Sequence, residues 1–165
     1  MRGRQERPTV ELRAPLAGTV VALGDVPDPV FSTAVVGPGL AILPSEPDPA
    51  GATGRVVVVA PCAGRVQSLY PHAIMLGIDA DRVVLVHLGI ATGELDGAGF
   101  DVVISEGERV VAGQPLIGWS PARVREGGRS TLSPVVALQG GADDVLQLVA
   151  PGEHVEEGQA VLLWS

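Results

Sequence analysis

Apolar residues in this 165-residue chain occur in short runs that glycine and proline interrupt. Short runs rich in valine and leucine, bounded by turn residues, are typical of β-strands. With 22 Gly and 14 Pro, the chain leaves little room for long helices. The pattern predicts an all-β protein, an antiparallel β-sandwich or barrel-sandwich with at most short helical turns. The predicted strands lie near residues 10–13, 17–23, 39–43, 55–59, 63–69, 73–78, 82–88, 109–111, 115–119, 134–138, 145–149 and 160–164.

Two segments of the chain recur, which predicts that the sandwich is internally duplicated. Ala14-Pro-Leu-Ala-Gly18 returns as Ala60-Pro-Cys-Ala-Gly64. The pattern Gly-Glu-x-Val-x-x-Gly-Gln, typical of a strand, a turn and a second strand, begins at Gly107 and again at Gly152. Two copies are too few for a solenoid, so the repeats favour a duplicated β-sandwich.

Outside the strands, the sequence predicts three further features. Residues 1–9 are expected to be a disordered tail, followed by a single domain over residues 10–165. The proline-rich stretch from Pro44 to Gly54 is expected to be a mobile loop. Residues 121–127 can form a short helix with Ser120 as its cap.

Charge and cysteine content narrow the classes of function. The net charge of −8 argues against nucleic-acid binding, which selects for clustered basic residues, and it is compatible with basic protein partners. No apolar run approaches the roughly 20 residues of a membrane-spanning helix, so no membrane insertion is expected. A lone cysteine, Cys62, cannot form an internal disulfide, which fits a cytoplasmic protein. We expect Cys62 to be a packed residue and His154 to be a solvated surface residue.

His72 and His87 form the most informative pair in the sequence. They lie in two predicted strands on either side of a polar break at Asp79 and Ala80. A two-residue turn there would place the histidines directly opposite each other on one face, with Cβ atoms roughly 5 Å apart. A three-residue turn would shift the register by one and send them to opposite faces.

Three kinds of chemistry suit a close histidine pair: metal binding, general acid–base catalysis and nucleophilic attack by an imidazole. The nearest carboxylates, Asp79 and Asp81, would lie about 20 Å away along the strands, which disfavours a metal site complete within this hairpin. Burial keeps an imidazole neutral and therefore nucleophilic. The flanking residues Val84, Leu85, Val86 and Leu88 are expected to limit water around a covalent adduct.

The chain resembles the glucose-type IIA domain of the bacterial phosphoenolpyruvate-dependent sugar phosphotransferase system over about residues 10–165. The resemblance rests on an ordered set of motifs, of which each alone is weak. They are Ala14-Pro-Leu-Ala-Gly18, Val26-Pro-Asp-Pro-Val-Phe31, Val36-Gly-Pro-Gly-Leu-Ala-Ile42, Ala60-Pro-Cys-Ala-Gly64, His72-Ala73, Val86-His-Leu-Gly-Ile90, Gly97-Ala-Gly-Phe100 and Ser130-Thr-Leu-Ser-Pro-Val-Val136.

The resemblance implies a β-sandwich of the duplicated hybrid motif. It also implies a phosphohistidine carrier within a phosphotransferase, working without a cofactor. His87 lies where the family is phosphorylated on Nε2, and His72 lies where a second histidine supports the phosphoryl group. The donor would be the carrier protein HPr, and the acceptor would be a IIB domain of a sugar permease of the glucose or N-acetylglucosamine type. The positions that match the family's docking surface are Val30, Phe31 and Val36, and the acidic Asp28 would suit an arginine-bearing partner.

The chain departs from the family near the histidines. Tyr70 replaces a threonine that bonds the second histidine in enteric members, and its hydroxyl is a candidate to support the histidine pair. Ala91 replaces an aspartate in the segment after His87, and the loss of this negative charge is expected to affect partner affinity more than the phosphoryl chemistry.

Two alternatives stay open from the sequence. One is a regulatory module that binds permeases or kinases according to its phosphorylation state, where a partner carboxylate could complete a zinc site with His72 and His87. The other is a zinc peptidase of the related lysostaphin-like type, whose His-x-His motif would require a histidine at Leu85.

Overall fold

The computed structural model describes residues 7–45 and 55–165. The strands are β1 (Val10–Arg13), β2 (Gly18–Ala22), β3 (Gly39–Pro44), β4 (Val56–Val59), β5 (Gly64–Tyr70), β6 (Ala73–Gly77), β7 (Val83–His87), β8 (Phe100–Val102), β9 (Arg109–Val110), β10 (Pro115–Trp119), β11 (Ser133–Ala137), β12 (Val145–Gln147), β13 (His154–Val155) and β14 (Ala160–Trp164). The helices are α1 (Pro29–Ser32) and α2 (Pro121–Glu126), with 3₁₀ turns at Leu23–Asp25, Thr92–Leu95 and Ala142–Asp144.

The strands form one large sheet and two small ones, and neighbouring strands are antiparallel. The large sheet has the order β13-β2-β3-β11-β7-β6-β5-β9, and the small sheets are β1-β14-β12 and β4-β10-β8. The predicted all-β class is confirmed. Every predicted strand is present with its ends shifted by at most two residues, whereas β8 and β13 were not predicted.

Both faces of β7 are packed, because apolar side chains cover the large sheet on its inner and outer sides. Val84 and Val86 point into the main core. Leu85 points the other way, into a smaller cluster that also contains Phe31 and Ala73. The second cluster places an apolar surface on the outer face of the sheet, beside the end of β7.

The duplication predicted from the sequence recurs in the hydrogen bonding. The Ala14 N–H donates to the Gln159 carbonyl at 2.8 Å, and the Ala60 N–H donates to the Gln114 carbonyl at 2.9 Å. In each of the two copies, therefore, an Ala-Pro segment is hydrogen-bonded to a Gly-Gln turn of the Gly-Glu-x-Val-x-x-Gly-Gln pattern. The chain repeats its backbone contacts as well as its residues.

The short helices carry recognisable caps. The Ser120 side chain accepts from the Arg123 N–H at the start of α2, as predicted. Helix α1 was not predicted, although Asp28 caps it by accepting from the Val30 N–H at 3.0 Å and Pro29 occupies its first turn. This helix carries Phe31 onto the outer face of the sheet.

The remaining predictions concern the chain end, the loop and two single residues. Residues 1–6 of the predicted tail and 46–54 of the predicted loop lie outside the described residues. Arg7 donates to the Ser165 carbonyl at 3.1 Å. Cys62 is buried, as predicted, and burial raises the pKa of its thiol to about 12. Within residues 7–45 and 55–165, no helix has the length and apolar character needed to cross a membrane.

Candidate active site

The hairpin that carries the histidines has a different register from the predicted one. Ala73, and not His72, lies directly opposite His87 across β6 and β7. The loop between these strands therefore spans the three residues Asp79–Asp81. The predicted two-residue turn is wrong.

The cause of the longer loop is the side chain of Asp79. Its Oδ1 accepts hydrogen bonds from the N–H groups of Asp81 at 3.0 Å and of Arg82 at 2.9 Å. An aspartate that binds the backbone two residues later forms an Asx turn, which stabilises a longer loop than the two residues assumed. The buried Arg82 guanidinium strengthens the arrangement through its ion pair with Asp79.

The two histidines nevertheless meet, because His72 lies outside the strand. It occupies the turn between β5 and β6, where strand alternation does not fix the direction of a side chain. The centroids of the imidazole rings of His72 and His87 are 5.1 Å apart, with an angle of 72° between the ring planes. The Leu88 N–H donates to the His72 carbonyl at 2.7 Å and fixes this turn against the end of β7.

The backbone just after β7 determines which nitrogen of His87 carries the proton. Nδ1 lies 2.6 Å from the carbonyl oxygen of Gly89. A carbonyl can only accept, so Nδ1–H is the donor and Nε2 holds the free lone pair of the neutral ring. Gly89 reaches back in this way with φ +78°, in the left-handed region that glycine adopts readily.

The surroundings of His87 favour its neutral form. Burial lowers the pKa of His87, and the neighbouring His72 lowers it further. The Gly89 hydrogen bond and the negative charge of Asp28 raise this pKa in opposition, but burial is the larger effect. Burial also lowers the pKa of His72. Both imidazoles are therefore more readily neutral than an exposed histidine.

Aromatic rings surround the pair. The Phe31 ring meets His87 edge-on with centroids 5.4 Å apart, and the Phe100 ring lies 6.5 Å from His72. Phe100 was not predicted as a site residue, although the rarity of phenylalanine and tyrosine in this chain could have indicated it. The chain has only two Phe and one Tyr, and all three lie beside the histidines.

Tyr70 lies at the exposed rim of the site. Its ring centroid is 5.9 Å from that of His72, and the residue is 54% exposed. Among the hydrogen bonds of the described residues, none joins its hydroxyl to either histidine. The ring is thus a neighbour of the pair, and the predicted role of the hydroxyl stays a prediction.

A depression of about 330 Å³ opens over the histidines on the outer face of the sheet. Of the apolar residues that flank His87 in sequence, only Leu85 lines it, because Val84, Val86 and Leu88 face the main core. The expectation that all four would shield an adduct is therefore wrong for three of them. Tyr70 and both histidines line this depression. It is also lined by the four residues predicted to bind partners, Asp28, Val30, Phe31 and Val36.

Other candidate sites are less well equipped. In the part of the chain that the structure describes, no three His, Cys, Asp or Glu side chains converge as a metal ion would require. A zinc site would still need a carboxylate from a partner. His154 lies on the surface, as expected, with its Nε2 2.8 Å from a Glu156 carboxylate oxygen.

Comparisons with known proteins identify the family of this chain and agree with its fold. The family model described as phosphoenolpyruvate-dependent sugar phosphotransferase system, EIIA 1, matches residues 10–142. The glucose-specific EIIA component of Staphylococcus aureus strain COL is 36% identical over 137 residues, covering 82% of this chain and 77% of that protein. The corresponding component of Staphylococcus epidermidis strain ATCC 12228 is 32% identical over 155 residues, covering 93% and 84%.

A solved structure extends the agreement to the backbone. The glucose permease IIA from Mycoplasma capricolum superposes with a TM-score of 0.81 at 28% identity, covering 95% of this chain and 96% of that one. The match along the sequence and the shared sandwich fold together identify the family. The chain belongs to the EIIA 1 family of the phosphoenolpyruvate-dependent sugar phosphotransferase system and is a phosphocarrier component in sugar uptake.

Proposed function

We propose that Nε2 of His87 accepts a phosphoryl group from the histidine of HPr and passes it to a cysteine of a IIB domain. The observation that carries this proposal is the hydrogen bond from Nδ1–H of His87 to the Gly89 carbonyl. It leaves Nε2 as the nucleophilic nitrogen in a ring that lines the depression.

Each transfer is a displacement at phosphorus. The Nε2 lone pair forms the new N–P bond while the N–P bond of phospho-HPr breaks, and the bonding electrons return to the leaving imidazole. In the second step the cysteine thiolate attacks phosphorus, and the electrons of the N–P bond return to Nε2. Little covalent assistance is needed in such transfers, so position and charge stabilisation determine the rate.

His72 is proposed to stabilise the phosphoryl group. Its ring lies 5.1 Å from that of His87, a distance from which an N–H can reach an oxygen of a group bonded to Nε2. Hydrogen bonds to an anionic oxygen are stronger than those between neutral groups. Tyr70 is proposed to support the histidine pair from the rim of the site, and Tyr70→Phe separates the contribution of its hydroxyl from that of its ring.

The rim of the depression is the proposed docking surface for HPr and the IIB domain. Val30 is 50% exposed and provides apolar contact area beside the buried Phe31. Asp28 contributes a carboxylate to the same depression, which suits an arginine-bearing partner. The partner's own surface would then exclude water from the transfer.

The relatives named glucose-specific support glucose as the sugar that this carrier serves. Transfer to glucose-type and N-acetylglucosamine-type IIB domains, compared side by side, tests this assignment. Because HPr and the IIB domain act on the inner side of the membrane, the proposed location is the cytoplasm.

The acceptor is tested with labelled phosphoenolpyruvate, enzyme I and HPr. Wild type and the surface variant His154→Ala should take up an acid-labile label, and His87→Ala should not. Labelling of His87→Ala at the wild-type level would refute the assignment. His72→Gln should accept the label but pass it to a IIB domain slowly, and normal onward transfer would refute the role of His72.

A further inference from the structure

One loop contacts both imidazoles. This loop, residues 89–97, follows β7 and supplies the Gly89 carbonyl that receives Nδ1–H of His87. Four residues later, Gly93 packs against the other ring: a Cβ at Gly93 would lie 3.3 Å from Cε1 of His72. The loop backbone therefore sets the tautomer of one ring and limits the position of the other.

The loop has a strained backbone. Ala91 at φ 58° and Asp96 at φ 51° are both in the left-handed region. This conformation is unfavourable for residues with a side chain, more so for alanine than for aspartate. A loop under such strain keeps its shape only when contacts from outside hold it.

Arg129 supplies these contacts with its side chain. Its Nε donates to the Ala91 carbonyl at 3.3 Å, and its Nη2 pairs with the Glu94 carboxylate. Its Nη1 donates to the Gly127 carbonyl at 3.2 Å, which ties the guanidinium to the end of helix α2. One planar cation thus joins the histidine loop to a separate element of the fold.

The backbone next to Arg129 holds the same loop. The Ile90 N–H donates to the Ser130 carbonyl at 3.0 Å, and the two residues form an isolated antiparallel bridge. The bridge fixes the loop between the carbonyl that orients His87 and the carbonyl that Arg129 binds. Main chain and side chain therefore act on consecutive loop residues.

We infer that Arg129 is a positioning residue for phosphoryl transfer, which acts by holding the loop that orients both His87 and His72. The inference rests on the proposed role of His87 as acceptor. Arginine suits the task because its rigid fork of donors can reach two carbonyls and a carboxylate at once. A lysine at this position would keep the positive charge but could not make all of these hydrogen bonds at once.

The test compares Arg129→Gln and Arg129→Lys with Arg123→Gln, a variant at an exposed arginine on the adjoining helix α2. The first measurement is the ¹⁵N NMR spectrum of the imidazoles at a pH where both rings are neutral, since nitrogen shifts report which nitrogen carries the proton. Wild type and Arg123→Gln should show a single His87 tautomer, protonated on Nδ1. Arg129→Gln should show a mixture with the Nε2–H form.

The second measurement is the rate of phosphoryl transfer from phospho-HPr. Misplacement of reacting groups by about 1 Å can cost on the order of 100-fold, so Arg129→Gln should slow transfer roughly 10- to 100-fold. Arg129→Lys should fall between wild type and Arg129→Gln. If Arg129→Gln does not fold, Arg129→Lys and Glu94→Gln carry the test, each with a smaller loss expected.

The result that overturns the inference is a wild-type tautomer and a wild-type rate in the folded Arg129 variants, even if they unfold more easily. Such a result would make Arg129 a stabilising residue only. The tautomer is measured on the unphosphorylated chain, so it does not depend on His87 being the acceptor. A changed tautomer with the label found elsewhere would refute the proposed function and leave the positioning by Arg129 intact.

Discussion

Replacement of Gly89 by alanine gives the sharpest test of how the site is built. Gly89 has φ +78°, and a Cβ there would lie 2.5 Å from Cγ2 of Thr92 and 2.7 Å from the carbonyl oxygen of Ser130. Carbon and oxygen atoms cannot approach so closely, so the loop must move. The change therefore adds a steric clash to the backbone strain.

Gly113 provides a matched control. It has φ +85°, nearly the same as Gly89, and a Cβ there would meet no atom within 4 Å. Gly113→Ala should cost only the left-handed strain, about 1–2 kcal/mol of unfolding free energy. Gly89→Ala should add an overpacking cost of about 1–3 kcal/mol, for a total of roughly 2–5 kcal/mol.

Guanidinium unfolding at constant pH measures both costs, provided the m-values stay unchanged. Phosphoryl acceptance from HPr is measured on the same samples. Gly89→Ala should also slow acceptance, because the carbonyl that receives Nδ1–H of His87 must shift, whereas Gly113→Ala should not. Equal unfolding free energies for the two variants would refute the reasoning, since the clash of the added methyl group with Thr92 and Ser130 would then cost nothing.

Three further predictions concern the same region. Burial lowers the pKa of His87 below its usual 6.5, so the unfolded chain takes up a proton first as the pH falls. The stabilisation from this group is complete above pH 6.5 and is lost as the pH falls to the lower folded-state pKa. Denaturant unfolding at a series of pH values should therefore show wild type losing free energy of unfolding relative to His87→Gln below pH 6.5, and a difference that does not change with pH would contradict the lowered pKa. Phe31→Ala should lower the free energy of unfolding by about 3–5 kcal/mol and shorten the lifetime of the phosphorylated form, because the buried Phe31 ring packs against His87. Val35→Ala, at a position that is 77% exposed, should change the free energy of unfolding by less than about 0.5 kcal/mol. Equal effects of the two substitutions would contradict the packing described. Ala91→Gly should raise the unfolding free energy by about 0.5–1 kcal/mol by relieving left-handed strain, and a loss of stability in thermal melts would count against it.

Strands that show a clear apolar run could be predicted from the sequence, because periodicity is a local property. The run from Pro115 to Trp119 lies between turn residues and was predicted to the residue. Strand β8 has three residues, too few for a period to show. Strand β13 was left out of the predicted ranges although it is the counterpart of β9 in the second copy of the Gly-Glu-x-Val-x-x-Gly-Gln pattern. Strands β8 and β13 pair only because β10 and β2 present hydrogen-bonding edges to them, which is a property of the folded chain.

The closeness of His72 and His87 was predicted correctly, but the register from which it was predicted is wrong. The sequence argument counted residues across a two-residue turn, and the Asx turn of Asp79 makes the loop longer. The rings meet because His72 lies in a turn, outside the alternation of the strand. A local signal for the error was present, since Asp79 precedes two further polar residues whose N–H groups it binds.

The surroundings of the pair were only partly readable. The Asp28-Pro29 pair is a helix-start signature and could have predicted α1, which carries Phe31. The contacts of Phe100 and Arg129, in contrast, join segments far apart in sequence. No local pattern encodes such contacts, so only the tertiary structure reveals them.

The packing of β7 on both faces and both edges affects how a binding partner can distinguish the phosphorylated from the unphosphorylated protein. A strand bonded to β6 and β11 and covered on two sides has little freedom to change its path on the proposed phosphorylation of His87. What changes is charge, by roughly −1.5 to −2 at neutral pH if the group ionises as phosphate esters do. A binding partner would then distinguish the two states by electrostatics at the rim, and its discrimination would weaken as salt is added.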